Sequence, residues 1–475
     1  MACQRPSSFN SPVIMSISLQ FLGAARRVTG SKHLLTVGKR RVLMDCGMVQ
    51  GPRKIANKLN QKLPFLASSI DAVVLSHAHV DHSGSLPRLV RMGYRGPIYC
   101  TPATRDLLEI LLPDSAHIQA SDAKYLKKKG IDFQPAYEME DVERTLGQIE
   151  TVPYNKPFAV LPDVEGLFID AGHIIGSAQI CLQVGGQEGP LRINFTGDLG
   201  RSGIPILRDP DPLPECDVLL TESTYGDRVH PPGDTQMQQF RAFIQEQSSR
   251  RGRILIPAFS VGRTQNILWY LGRMIHEGLI DPLPIYVDSP LSNKATAVVA
   301  RHRDLYDEET RAMIAGGQNP FFFEGVRCIA DVEESKALNE ITRGIIISAS
   351  GMCEGGRILH HLLHSLERFN DSILITGFQA QGTVGRKLLD GYEFVKIFGQ
   401  RVSVRCHVEH INGLSAHADA SELLEHLSPL AATTERVFVV HGEEGPAQRF
   451  ADRLWQAGFK DVRVPIYKES FELRA

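Results

Sequence analysis

At 475 residues, 43% hydrophobic and 22% charged, with a formal net charge of −2, the chain has the size of two or three globular domains. This composition excludes a disordered, collagenous or fibrous chain, and the near-neutral charge excludes a global basic field while leaving room for a local basic groove. No apolar run reaches membrane-spanning length, the opening MACQRPSSFNSPVIMSIS lacks a signal-peptide core, and the eight cysteines are scattered with no CxxC pair, so a cytoplasmic protein without a membrane anchor is expected.

From about residue 15 the pattern is short apolar runs broken by Gly, Asp and Asn. ISLQFLGA, HLLTV and RVLMDCG read as strands, the last two forming a hairpin. Asp71 to Ser76 is a buried strand that runs straight into a histidine-rich turn. LFIDAGH, ICLQV, LRINFTGDLG and DVLLTEST follow, most of them strands that end beside His, Asp or Glu. Strand ends that deliver polar side chains to one edge are where α/β proteins build their sites.

After about residue 208 the style changes. RILIPAF, a helix with Ile267, Leu271, Met274 and Ile275 on one face, and LPIYVDSP form a strand–helix–strand unit. GIIISASG and SILITGFQ, each followed by a helix, repeat it. From about residue 396 the first style returns with VRCHVEHINGLSAHAD and RVFVVHGEEGP. The expected organisation is one domain over 15–207 and 396–475, interrupted by a parallel α/β domain over 208–395.

The strongest chemical signal is HAHVDH, with His77, His79, Asp81 and His82 in one turn after a strand. Such a turn aims imidazoles and a carboxylate at adjacent metal positions, and neutral imidazole suits zinc. Four ligands from one turn do not close two metal spheres. His173 in IDAGHIIGSAQI, Asp198 in NFTGDLGR and His441 in VFVVHGE stand at other strand ends and complete what a two-metal site needs.

This spacing resembles the metallo-β-lactamase superfamily. Glu222 in LLTESTYGDR, His417 in GLSAHAD and His441 in VVHGE, together with PAFSVGRTQ, SASGMCEGGR and GFQAQGTVGR, resemble its β-CASP nucleic-acid-processing members. Within these the chain is most similar to the RNA-cleaving branch that includes the 73-kDa subunit of the eukaryotic cleavage and polyadenylation factor and its prokaryotic homologues. The resemblance implies an αββα sandwich interrupted by a Rossmann-like β-CASP domain. It implies two zinc ions: one held by His77, His79 and His173, the other by Asp81, His82 and His441, with Asp198 bridging. It makes Asp45 in MDCG the carboxylate behind the ligands that orients an imidazole. The implied reaction is hydrolysis of single-stranded RNA by a two-metal hydroxide mechanism, endonucleolytic and also exonucleolytic, with Asp81 and Asp198 positioning the water. His417 is the implied general acid, oriented and kept protonated by Glu222.

In the inserted domain, Arg263 opens a helix after a strand, and Ser350, Gly351, Arg357 and Gln381 lie at further strand–Gly–helix junctions. All five are candidate RNA phosphate contacts. No GxGxxG fingerprint supports a nucleotide cofactor. His360, His361 and His364 read as a solvated or core helix face, since no HExxH carboxylate stands between them. His407 and His410 read as strand and loop residues, Lys124 and Lys127 to Lys129 as a solvated helix end, and Met237, Phe240 and Ile244 as core. The resemblance is compatible with a homodimer. No room for a leading KH domain is expected, so RNA affinity is assigned to the groove between domains. Three other readings compete: a hydrolase of a small ester, lactam or thioester, a DNA-directed nuclease, and a non-catalytic RNA-binding scaffold. The inserted domain would narrow access for the first, and the scaffold would require ligands to be missing.

Overall fold

The computed structural model describes residues 16–51, 53–186, 189–231, 233–411 and 415–474. The opening segment read above, and Gly413 and Leu414 of the GLSAHAD stretch, lie outside the described residues.

Ile17, Leu19 and Phe21 are buried in alternation with half-exposed neighbours, so strand Ile17–Phe21 shows one face to a core. It pairs antiparallel with His33–Val37 and Ser470–Arg474, in a seven-stranded sheet that continues through Arg40–Met44, Ala72–Val74, Ile98–Cys100 and Ile149–Thr151. A second seven-stranded sheet runs in the order Val462–Arg463, Arg436–Val439, Val218–Thr221, Leu191–Phe195, Ala178–Val184, Val164–Asp170, Phe158–Leu161. The inner faces meet: Leu19, Phe21 and Met44 of the first sheet share a core with Phe168, Phe195 and Phe438 of the second. Helix Pro102–Lys128, started by the Thr101 side chain accepting from the Thr104 N–H, lays Leu107 and Leu108 over the outer face of the first sheet beside Leu43 and Val73. Helices Ala420–Leu427 and Glu444–Gln456 cover the second through Leu423, Phe450 and Leu454. This is the expected αββα sandwich.

The third sheet is parallel, in the order Val326–Cys328, Ile285–Val287, Gly344–Ser348, Arg253–Pro257, Ser372–Ile375, His407–His410. Its central strands are buried along their whole length, as in a sheet covered by helices on both faces. Ile254, Ile256, Ile345 and Ile347 join the core that continues to the Pro102–Lys128 helix, whereas Leu255, Ile346, Ile373 and Ile375 belong to an outer core.

Sheet membership puts both changeovers later than residues 208 and 396. Val218–Thr221 pairs with Leu191–Phe195 and Arg436–Val439 in the sandwich, and His407–His410 pairs with Ser372–Ile375 in the inserted sheet. A short apolar strand looks the same in sequence whichever sheet it joins. Among the described residues no helix is long and apolar enough to cross a membrane.

Candidate metal centre and its acid–base pair

Strand Ala72–Val74 leads into Ser76 and His77, and the one-turn helix Val80–Ser83 carries Asp81 and His82. This turn is packed against the MDCG turn, where Cys46 N donates to the His82 carbonyl at 2.7 Å. A Cβ on Gly47 would lie 1.5 Å from the Asp81 carbonyl oxygen, so only glycine permits that approach. Likewise a Cβ on Gly200 would lie 2.0 Å from the Gly172 carbonyl, which ties the loop of Asp198 to the loop of His173.

His77, His79, His173 and Asp198 offer ligand atoms that all lie within 4.8 Å of one another, and so do Asp81, His82 and His441. Asp198 lies between the two groups. Its Oδ2 is 3.4 Å from His77 Nε2 and 3.6 Å from His173 Nε2, and its Oδ1 is 3.2 Å from His82 Nε2 and 3.5 Å from His441 Nδ1. His441 Nε2 is 3.5 Å from Asp81 Oδ2.

The donor set fits divalent cations. His82 Nδ1 lies 2.7 Å from Asp45 Oδ2, so in the neutral, metal-binding form that donates there, Nε2 is the lone pair, facing His441 Nε2 at 3.0 Å. His79 Nδ1 faces His77 Nε2 at 3.1 Å and His173 Nε2 at 3.3 Å. Asp198 Oδ1 is buried and makes no hydrogen bond among the described residues. Converging imidazole nitrogens and an orphaned carboxylate oxygen are what a divalent cation would satisfy. Burial holds His79 down at about 4, and burial together with neighbouring imidazoles keeps His77 and His173 well below the ordinary histidine value. All three are therefore neutral at pH 7, the form that binds metal.

Asp45 is fully buried at a φ of 59°. It accepts from Ser76 N at 2.9 Å, Ser31 Oγ at 2.9 Å and Ser76 Oγ at 3.1 Å in addition to His82, so its place behind the cluster is fixed from several directions. Two further residues that the sequence reading passed over belong here. Thr224 Oγ1 stands 3.1 Å from His441 Nδ1, and Ser76 Oγ 3.1 Å from His77 Nδ1. Each sits within two residues of a predicted site residue, and that proximity was the available signal.

Glu222 is fully buried and accepts from Leu199 N at 2.6 Å. His417 arrives from a distant connector, which bridges to Gly200 and places the His417 ring 4.5 Å from that of His173. Its Nδ1 is 3.2 Å from both carboxylate oxygens of Glu222. Burial opposes its charged form, but the Glu222 carboxylate outweighs burial and raises the imidazole to about 9.

The five candidate phosphate contacts separate. Arg357 is committed elsewhere, Nη1 to Asp288 Oδ1 at 2.6 Å and Nη2 to the Ala330 carbonyl at 2.7 Å. Arg263 is buried and donates Nη1 to the Thr376 carbonyl at 2.8 Å, and burial lowers its pKa to about 10. Each of these guanidinium groups thus spends at least one nitrogen on a protein partner. Gly351 is buried, its carbonyl accepting from Gln379 at 2.9 Å. Ser350 is half-buried and Gln381 exposed, so these two keep accessible polar surface. Of the helix histidines, His361 is fully buried with Nε2 2.6 Å from Asp288 Oδ2, whereas His360 is exposed. Phe240 and Ile244 are core.

Comparison with known proteins agrees with this geometry. Family models match residues 34–188 as a metallo-beta-lactamase superfamily domain, 264–388 as a Beta-Casp domain, and 401–465 as a Zn-dependent metallo-hydrolase RNA specificity domain. The chain is 38% identical to Ribonuclease TTHA0252 of Thermus thermophilus, over 89% of this chain and 92% of that one. It is 32% identical to Transcription termination factor FttA of Methanosarcina mazei, over 92% of this chain and 68% of the relative. A crystal structure of a protein of unknown function from Enterococcus faecalis shares the fold with a TM-score of 0.51 at 13% identity, covering 96% of this chain and all of that one. The chain belongs to the metallo-β-lactamase superfamily, as a member with an inserted β-CASP domain.

Proposed function

We propose that the protein is a zinc-dependent ribonuclease that hydrolyses phosphodiester bonds of single-stranded RNA, internally and also from an end. The observation that carries this reading is the Glu222–His417 pair standing against a seven-residue cluster of metal-binding type. His77, His79 and His173 would hold one zinc and Asp81, His82 and His441 the other, with Asp198 between them. Zinc held there supplies Lewis acidity, drawing charge from a phosphoryl oxygen and lowering the pKa of water.

The chain's own groups do the rest. Asp81 and Asp198 accept hydrogen bonds from the attacking water and orient it. The water gives up one proton to solvent, and its oxygen bonds to phosphorus as the bond to the departing ribose oxygen breaks. His417, with Nδ1 turned to Glu222, gives the proton on Nε2 to that departing oxygen, and Glu222 stabilises the charged ring until then. The free cysteines among the described residues, all but Cys328 buried, support assignment to a reducing cytoplasm.

The test is cleavage of an end-labelled single-stranded RNA and its DNA counterpart by purified protein of measured zinc content, with Asp81→Ala and His417→Ala beside it. Near two zincs per chain, with RNA cut by the parent and by neither variant, is expected. Bound zinc without cleavage of RNA would overturn the proposal, and equal cleavage of DNA would remove its RNA specificity.

A further inference from the structure

Outside the metal cluster, the outer face of the inserted domain carries a feature the reaction does not use. Strands Phe394–Ile397 and Gln400–Ser403 pair antiparallel as a separate two-stranded hairpin. One face is ordinary core, with Val395, Ile397 and Val402 buried in the outer cluster. The opposite face and the two ends of the hairpin carry exposed rings: Phe394 on that face is 41% exposed, Tyr392 before the first strand 53% and Phe398 in the turn 53%.

The turn is built at a cost. Ile397 pairs with Gln400, leaving Phe398 and Gly399 as the two loop residues, at φ of 50° and 84°. Positive φ at both positions is the geometry that favours Asn-Gly, and a bulky side chain at the first is strained. The strained ring is not buried in compensation. It stands in solvent with the His360 ring 4.6 Å away. Strain kept at an exposed aromatic is characteristic of ligand clamps. Beside it the Arg401 guanidinium lies 3.3 Å from the centre of the Phe394 ring, across from Lys396.

The chemistry of the face selects its occupant. Residues 386–405 carry five basic side chains against two acidic ones, and one of those acids, Asp390, is paired with Arg386 at 2.8 Å. The large exposed apolar groups of this stretch are all rings and include no aliphatic side chain. Flat rings with interleaved cations fit a polyanion whose bases are free to stack, a single strand and not a duplex.

We propose that this hairpin is a second binding surface for single-stranded RNA, holding bases on Phe394 and Phe398 and phosphates near Lys396 and Arg401. The inference rests on the ribonuclease reading and adds to it a point of attachment outside the catalytic cluster. It makes Phe398 a binding residue, which explains why the turn keeps a ring where glycine would be relaxed.

The experiment measures binding of a labelled unstructured RNA to zinc-loaded His417→Ala protein, with and without Phe394→Ala, Phe398→Gly and Arg401→Ala. Phe398→Gly supplies the residue the turn geometry favours, so loss of folding does not confound it, and the thermal midpoint is read for each protein. The expected result is a Kd raised about fivefold or more for each ring removed, with a shallower salt dependence after loss of Arg401. A 4-thiouridine RNA is expected to crosslink to a peptide containing Phe398. Equal RNA binding by parent and variants would overturn this inference and leave the ribonuclease reading standing. A parent that neither binds nor, with His417 restored, cuts RNA would overturn the ribonuclease reading itself. A change from dimer to monomer with RNA affinity unaltered would show that a second copy covers the face, which also overturns the inference.

Discussion

Both carboxylate oxygens of Glu222 stand 3.2 Å from Nδ1 of His417, although the two residues are 195 positions apart in the chain. Glu222 is wholly buried, and Nδ1 is turned inward to it.

This pair is expected to set an alkaline limit to activity. A general acid works in its protonated form, and Glu222 beside it raises His417 to about 9. The rate is expected to fall as pH rises through that value. Glu222→Gln removes the charge that outweighs burial, so the fall moves to lower pH. His417→Ala removes the limb and lowers kcat by roughly 10²–10⁴-fold. A pH–rate profile of the three proteins at saturating zinc checks this.

Asp45 is expected to govern metal retention. Its contact with His82 Nδ1 fixes which nitrogen of that ring faces the cluster. Asp45→Ala is expected to weaken zinc binding by about 10–100-fold, with the site of Asp81, His82 and His441 emptied before its neighbour. Competition with a graded chelator, read as zinc content per chain, checks it. Loss of both ions together would show that Asp45 does not act through His82.

Thr224 is expected to do the same for His441 in a milder form. Thr224→Val keeps the shape and removes the hydroxyl that stands 3.1 Å from His441 Nδ1. A buried polar atom left unpaired costs about 1–3 kcal/mol. The variant is therefore expected to lose stability on that scale in chemical denaturation, along with a few-fold loss of zinc affinity.

Asp288 holds the inserted domain together. Its carboxylate receives Arg357 Nη1 and His361 Nε2, each at 2.6 Å, and Ser335 Oγ at 2.5 Å. Asp288→Ala leaves the half-buried Arg357 guanidinium and the buried His361 ring without their acceptor and is expected to destabilise by about 1–3 kcal/mol. Burial works against this carboxylate, but His361, Ser335 and Arg357 hold it below the usual range. Its contribution is thus complete at neutral pH and is lost as pH falls from about 4 through the lowered value. Denaturant titrations of parent and variant at neutral and acidic pH are expected to converge toward the acid end.

The metal turn was legible because its chemistry is local. His77, His79, Asp81 and His82 fall within six residues after a buried strand, and a turn that short has few ways to point them. The strands themselves were legible from alternation, as in Ile17–Phe21, or from unbroken apolar runs such as Gly344–Ser348. The long-range partners His173, Asp198 and His441 stood out only as polar residues at strand ends, family resemblance gave them their roles, and the structure brings their ligand atoms together with those of the turn.

Residue identity and spacing alone therefore determined that this chain carries a histidine–carboxylate turn, a mixed α/β layering and an inserted parallel domain. Tertiary structure alone decided which sheet Val218–Thr221 and His407–His410 join, since a short apolar strand is equally content on either edge. It also decided that Arg357 turns to Asp288, 69 positions away, and that Arg263 is buried. A guanidinium at a strand–helix junction reads the same in sequence whether it faces a groove or a buried carboxylate. The choice depends on which charge the fold brings within reach, and desolvation penalises every arrangement in which the charge finds no partner.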